Sequence, residues 1–232
     1  MTLPSGGAFY KEYPKSCDPE DYWGQVGRTV NGKPVPQEQI DLIVAAVCQG
    51  LDLGQNDSLL DLCCGNGALT TYFFSRCRGG LGVDFSDCLI DVANSRFKRR
   101  ESESYRCQDV LEFVRQEENP QRFSKALCYG SFQYLSPPAS LEVLALLRHR
   151  FKDVGLLFIG NLPDKDRLSR FYADKPYVPG IENQADSPIG IWRTTGEICE
   201  LAAAAGWKCS ISRMQDRFYG SGYRYDALLV PA

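Results

Sequence analysis

The sequence predicts an α/β protein, a mostly parallel sheet of seven strands with helices on both faces and an antiparallel last strand. Three observations carry that expectation. Between Ser58 and Asn161 short apolar runs alternate with helix-like segments, several runs end in an acid or a glycine turn, and the last two runs are joined across Gly220–Gly222.

The elements follow in order. Residues 1–36 are rich in glycine, proline and aromatics, Phe9, Tyr10, Tyr13, Tyr22 and Trp23 among them, and are expected to form an N-terminal lid segment. From Gln37 to Leu51 the apolar positions Ile40, Ile43, Val44, Val47 and Leu51 recur at helical spacing, opening a main domain over 37–232. Strands are then expected at Ser58–Cys64, Gly80–Asp84, Tyr105–Cys107, Lys125–Tyr129 and Val154–Asn161. Helices are expected between them at Ala68–Arg76, Ser86–Arg99, Val110–Gln116 and Ala139–Arg150. Five such strands joined by helices must run parallel. Residues 162–193 break the rhythm with Pro163, Pro176, Pro179 and Pro188, so a cap insertion is expected over the ligand-binding edge. A helix capped by Thr194 or Thr195, with Glu197 near its third position, leads into strands Trp207–Ser212 and Tyr223–Val230, which a short turn makes antiparallel.

Composition limits the function. With 26 basic and 29 acidic residues the net charge is −3, which gives no general attraction to nucleic acid or anionic membranes. The basic run Arg96, Lys98, Arg99, Arg100 closes an expected helix, where cations complement the carbonyl end. Ten cysteines without a CxxC pair, beside a lone His149, leave no zinc ligand set, so no metal is expected. With no basic-then-apolar leader and no long apolar run, the chain is expected in the cytoplasm, as a monomer or homodimer acting on a small molecule.

The strongest local signal is Asp61-Leu62-Cys63-Cys64-Gly65-Asn66-Gly67, a buried strand running into a tight glycine turn that opens a helix. In a doubly wound sheet this turn lies at the carboxyl edge, where ligands bind, and its glycines let backbone approach the ligand closely. Asp61 is placed to hold an ammonium group. Asp84 follows Gly67 by seventeen residues and ends the next strand, a position suited to ribose hydroxyls, with Phe85 available to stack on a base and Ser86 beside it. After the third strand, Gln108, Asp109 and Val110 suit an adenine amino group, and Tyr129, Gly130 and Ser131 end the fourth.

At these residues the sequence resembles class I S-adenosylmethionine-dependent methyltransferases, whose glycine-rich first loop, acidic second strand end and acidic third loop occur in this order, over roughly residues 37–232. The resemblance implies a Rossmann-like fold, S-adenosylmethionine as cofactor, S-adenosylhomocysteine as product, and cofactor contacts from Asp61, Gly65, Gly67, Asp84, Phe85, Asp109 and Tyr129. Cys63 and Asn66 belong to the same loop, and Cys63 stands where many members carry glycine. Gln25-Val26-Gly27-Arg28-Thr29-Val30-Asn31-Gly32 and Gly160-Asn161-Leu162-Pro163-Asp164 look like bacterial methyltransferases of sugar, polysaccharide or secondary-metabolite pathways. That likeness implies O-methylation of a small hydroxylated metabolite, with Gln25, Gly27 and Arg28 reaching the cofactor carboxylate or the acceptor.

Methyl transfer is an in-line displacement, so positioning and exclusion of water dominate, and a base helps a hydroxyl acceptor. Asp164, Tyr129 and Tyr134 are the candidate catalytic groups, although an acid after Pro163 also suits a helix N-terminus. Tyr22, Trp23, Asn161 and Trp192 are the candidate substrate contacts, with core packing as the other reading of the aromatics. His149 is expected at the far edge of the sheet. Three alternatives stay open: N-methylation of a small molecule, an NAD(P)-dependent oxidoreductase, disfavoured because Thr70 stands where a third glycine is wanted, and a non-catalytic cofactor-binding module.

Overall fold

A computed structural model describes residues 10–232; Phe9 and the rest of 1–9, part of the expected lid segment, lie outside the described residues. A small hairpin, β1 (Thr29–Val30) and β2 (Lys33–Pro34), precedes the main sheet. That sheet is built from β3 (Ser58–Leu62), β4 (Gly79–Asp84), β5 (Glu103–Cys107), β6 (Lys125–Tyr129), β7 (Leu156–Pro163), β8 (Trp207–Ser212) and β9 (Arg224–Pro231). Its spatial order is β5-β4-β3-β6-β7-β9-β8, parallel throughout except that β9 runs antiparallel to both neighbours. The expected seven-stranded sheet with an antiparallel last strand is therefore present.

Consecutive Leu59 and Leu60 show why these strands read as unbroken apolar runs. They point to opposite faces, and both are fully buried because helices cover both sides. Leu59 packs with Ile43, Val47 and Leu51 of α2 (Gln37–Leu51), and with Phe73 and Phe74 of α3 (Thr70–Phe74). Leu60 packs in a second core with Phe113 of α5 (Val110–Gln116) and Leu144 and Leu147 of α6 (Pro137–Arg150). Between them in the chain lies α4 (Asp87–Val92), and a four-residue α1 (Tyr22–Gln25) precedes them all.

Local chemistry sets the boundaries that periodicity misplaces. The expected helix over 68–76 is only Thr70–Phe74, because Gly65 and Gly67 both take positive φ and hold the chain in a turn until Leu69. The expected helix over 86–99 unwinds after Val92 into a wider turn, Ala93–Phe97, in which Lys98 N–H reaches Ala93 O while Asn94 Nδ2 donates to Ile90 O and to Tyr105 O of β5. Arg100 of the basic run does not serve the end of its own expected helix: it pairs with Glu103 at 2.7 Å and donates to the carbonyls of Phe74, the last residue of α3, and of Cys77 just beyond it. At the other end of the chain, Thr194 accepts from Glu197 N–H at 3.0 Å while Glu197 accepts from Thr194 N–H at 2.7 Å, the reciprocal cap that starts α8 (Thr195–Ala204), with α7 (Leu168–Phe171) standing alone before it in the insertion.

Helix α2 lies so close to β7 that a Cβ on Gly50 would sit 2.6 Å from the Phe158 ring, whereas one on Gly155 would meet nothing within 4 Å. Gly50→Ala is accordingly expected to cost about 1–3 kcal/mol in urea denaturation through overpacking. Gly155→Ala should leave the midpoint nearly unmoved.

Candidate cofactor and acceptor site

The sheet order reverses at β3, whose neighbours β4 and β6 lead away in opposite directions, and a crevice opens beyond the carboxyl ends of these strands. It holds a cavity of about 270 Å³. Three carboxylates line it, one from the end of each of three adjacent strands: Asp61 in β3, Asp84 in β4, and Asp109 just after β5.

Asp61 is 4% exposed and accepts a hydrogen bond from Thr70 Oγ1 at 2.6 Å. Burial raises its carboxyl to about 7, against a partial lowering by the Thr70 hydroxyl. Asp84 is 7% exposed; its Oδ2 accepts from Gly65 N–H at 2.9 Å and its Oδ1 from Ser86 N–H at 3.0 Å. Burial pushes this carboxyl above the usual range as well, opposed by those backbone donors. Asp109 caps α5 through Oδ1 alone, accepting from Leu111 N–H and Glu112 N–H, so both of these bonds leave Oδ2 out. Phe85 and Val110 stand beside these acids on the cavity wall, as do Cys63, Gly65, Asn66 and Gly130.

The opposite wall comes from the N-terminal segment and the end of β6. Trp23, Val26 and Arg28 face Tyr129, Ser131 and Tyr134. The Arg28 guanidinium lies 5.2 Å from the centre of the Tyr129 ring, and its buried Nε has no hydrogen-bond partner among the described residues. Tyr134 donates to Pro188 O at 3.0 Å and accepts from Tyr10 Oη at 3.4 Å. Burial pushes the Tyr129 and Tyr10 phenols well above their ordinary range.

Several expected site residues lie elsewhere. Asp164 does not line the cavity: fully buried, it caps the turn Lys165–Arg167 and pairs with Arg213 at 2.5 Å and Arg167 at 3.6 Å. Those two cations occupy the carboxylate, so a base role is replaced by a structural one. Trp192 is 1% exposed and packs with Phe171, Tyr172 and Tyr223 inside the insertion, and none of residues 162–193 lines the cavity. Asn161 forms an irregularity in β7 at φ +64°, where its N–H donates to Asp226 and its carbonyl accepts from Arg224. Tyr22 packs edge-on against Phe97 and donates to Glu20, facing a different surface. Gln108 donates to Gln116, Ser86 is fully buried at the start of α4, and Gln25 is 3% exposed and bonded to Asn66. Gly67 backs onto the Tyr105 ring and Gly27 onto the Tyr10 hydroxyl. The wall residues that sequence reasoning passes over, Val26, Cys64, Leu69, Val83, Leu89 and Leu135, are mostly apolar neighbours of motif positions. Only their adjacency to the glycine turn and strand ends marks them.

The constellation suits a zwitterionic nucleoside. Along the strand order Asp109 stands at one end, Asp84 with its Gly65 donor in the middle, and Asp61 with an unpartnered guanidinium nitrogen of Arg28 near it at the other. Comparison with known proteins agrees. Residues 59–155 match the methyltransferase domain family. An uncharacterised methyltransferase of Schizosaccharomyces pombe is 37% identical over 75 residues, which is 32% of this chain and 27% of that protein, so the match spans about a quarter of the relative's length. The magnesium protoporphyrin IX methyltransferase of Synechocystis, solved with bound SAH, superposes at TM-score 0.62 with 15% identity over 84% of this chain and 83% of that one. An S-adenosylmethionine-dependent methyltransferase of Clostridium acetobutylicum does so at 0.61, with 15% identity over 85% and 93%. Residues 59–155 thus match a methyltransferase domain, and the chain shares the Rossmann-like fold of these solved methyltransferases.

The buried acids set several expectations. A carboxyl held protonated up to about 7 in the folded chain, but ionised from about 4 upward when unfolded, makes the cofactor-free protein less stable as pH climbs between those values. Asp61→Asn keeps an acceptor for Thr70 and removes that penalty, so it should raise the melting temperature at pH 8 and weaken SAH binding about tenfold or more in calorimetry. In the parent protein SAH affinity should fall as pH drops below about 7, since an ammonium prefers the ionised acid. Asp164→Asn, by contrast, should lower unfolding free energy by about 3 kcal/mol while leaving SAH affinity of the folded protein unchanged. Full stability with lost turnover would restore Asp164 as a catalytic group.

Proposed function

We propose that the chain transfers a methyl group from S-adenosylmethionine to a hydroxyl of a small molecule. The observation that carries this reading is one crevice in which three strand-end acids and the glycine turn meet a tyrosine-rich wall. Bound there, the cofactor supplies an electrophilic methyl carbon. Asp84 accepts from the ribose hydroxyls, Asp109 Oδ2 from the adenine amino group, and Asp61 and Arg28 hold the ammonium and carboxylate of the amino-acid end. Gly65, at φ +60°, turns its N–H onto Asp84 and so holds that acid in place.

The acceptor lies against Trp23, Tyr129 and Tyr134, with Tyr10 and Ser131 close by. Aromatic faces suit a small ring or sugar-like body, and the hydroxyls orient its oxygen behind the methyl carbon. Phenols that burial keeps protonated donate hydrogen bonds rather than take a proton, so the acceptor hydroxyl's proton leaves to water at the mouth of the cavity. No helix among the described residues is long and apolar enough to cross a membrane.

Thermal-shift titration with SAH and NAD in parallel tests the cofactor: SAH at 100 times its dissociation constant should stabilise by about 2.7 kcal/mol, and NAD should not. A mass-spectrometric assay of methyl transfer to a panel of phenols, sugars and amines tests the acceptor. Asp84→Ala should weaken SAH by about 1.5–3 kcal/mol. Stabilisation by NAD alone, or methylation of amines alone, would replace the reading.

A further inference from the structure

The middle residue of the glycine turn does more than line the cavity. Asn66 is 1% exposed, and every polar atom of its side chain is engaged. Its Oδ1 accepts from Ala68 N–H at 3.2 Å within its own loop, while Nδ2 donates to Tyr22 O at 2.8 Å and to Gln25 Oε1 at 2.9 Å in the N-terminal segment. Gln25 in turn donates to the carbonyls of Asp18 and Pro19, at 3.3 and 3.1 Å. Within the stretch 18–28 Asp21 Oδ1 accepts from Gly24 N–H and Arg28 N–H reaches Trp23 O. Other ties to the chain, Val35 N–H to Arg28 O, an exposed Arg96–Glu20 pair, Tyr22 against Phe97 and Arg28 over Tyr129, do not involve the cofactor loop. One amide group therefore hangs that stretch on the cofactor loop.

A second, independent contact sits next to it. A Cβ built on Gly65 would lie 2.9 Å from Val26 Cγ1, so the bare Cα of Gly65 is what lets Val26 seat directly on the turn. Gly65 also takes φ +60° and donates its N–H to Asp84. The same short turn thus grips the acid assigned to the ribose on one side and the N-terminal stretch on the other.

We propose that Asn66 is a positioning residue: with the Gly65 seat for Val26, its amide latches residues 18–28 to the cofactor loop and so places Trp23 and Arg28 on the cavity wall. The chemistry requires asparagine. Both groups facing Nδ2 are oxygens, a backbone carbonyl and an amide carbonyl, so only a donor satisfies them, while the other end must remain an acceptor for Ala68 N–H. Aspartate has the same shape but sets a negative oxygen against two acceptors, which is repulsive and favours its protonated form. The consequence for binding rests on the proposed cofactor role of Arg28; the latch itself does not.

Asn66→Asp and Gln25→Ala test the latch in the intact chain. Hydrogen exchange of the free protein needs no ligand: amides of residues 18–28 should exchange at least tenfold faster in both variants while those of the sheet stay at parent rates, a tenfold change corresponding to about 1.4 kcal/mol of lost protection. SAH affinity should fall about tenfold in both, and the loss should appear in the cofactor's KM more than in kcat. Acidification supplies the readout that a merely structural role would not move, because the carboxyl introduced by Asn66→Asp regains a donor once protonated. The ratio of parent to Asn66→Asp affinity should therefore narrow from pH 8 to pH 5, and that of parent to Gln25→Ala should not. Parent-like exchange at 18–28 in both variants would overturn the latch. Faster exchange with unchanged SAH affinity would overturn its positioning of the wall. Should the parent itself fail to bind SAH, the proposed function falls while the exchange experiment still decides the latch.

Discussion

The 2.9 Å hydrogen bond from Gly65 N–H to Asp84 Oδ2 joins two strand ends that carry the whole site. It spans β3 and β4 at the carboxyl edge, fixing the turn after one strand by the acid that closes the next. The walls of the cavity are referred to this junction: Asp61 lies just upstream in β3, Val26 seats on Gly65, and Asn66 holds the N-terminal stretch. The bond is short in space and nineteen residues long in sequence, so it forms only when β3 and β4 have paired in register, Leu62 opposite Val83. Fold and site are therefore assembled by the same step.

Burial of the acids works against stability and for binding. An isolated carboxylate in a dry crevice is expensive, and the chain answers differently at each position. Asp84 receives two backbone donors, whereas Asp61 receives one hydroxyl and stays protonated to about 7. Asp164, equally buried, is satisfied by two arginines and faces no cavity. What separates a structural acid from one available to a ligand is thus the source of its compensation. Acids paired with cations are closed to further charge, while those held by neutral donors retain capacity for an incoming one.

That distinction explains what is legible in the chain. The Asp61–Gly67 stretch can be read because its chemistry is local: a strand, two positive-φ glycines and a helix start follow one another within a dozen residues. The seven strands are legible for the same reason, since alternation of apolar runs and helices is written along the sequence. Asp164 misleads because its decisive partner, Arg213, lies 49 residues away on the far side of α8 and β8. Trp192 and Asn161 mislead for a related reason: an aromatic or an amide near a strand end looks the same whether the insertion folds over the cavity or back on itself, and here Phe171, Tyr172 and Tyr223 draw Trp192 away. Asn66 is recognisable as part of the loop, but two of its three partners belong to the N-terminal segment and nothing in the motif records them.

The protonation states on the acceptor side narrow the chemistry that the cavity favours. Tyr129 and Tyr10 are phenols whose ionisation is suppressed by burial, and the cavity's three acids all stand at its cofactor end in the proposed arrangement. Methylating an ordinary alcohol requires removal of a proton of high pKa as the oxygen attacks, and protonated phenols cannot do that. Tyr129, whose hydroxyl has no partner among the described residues, can stabilise an oxygen that carries partial negative charge before attack. A phenolic or enolic hydroxyl gives up its proton more readily than a sugar hydroxyl does, and is better served by such a donor. The wall of Trp23, Tyr129 and Tyr134 suits the planar bodies on which acidic hydroxyls occur. Within the proposed oxygen methylation, a hydrogen-bond donor without a general base beside it matches an acidic hydroxyl better than an aliphatic one.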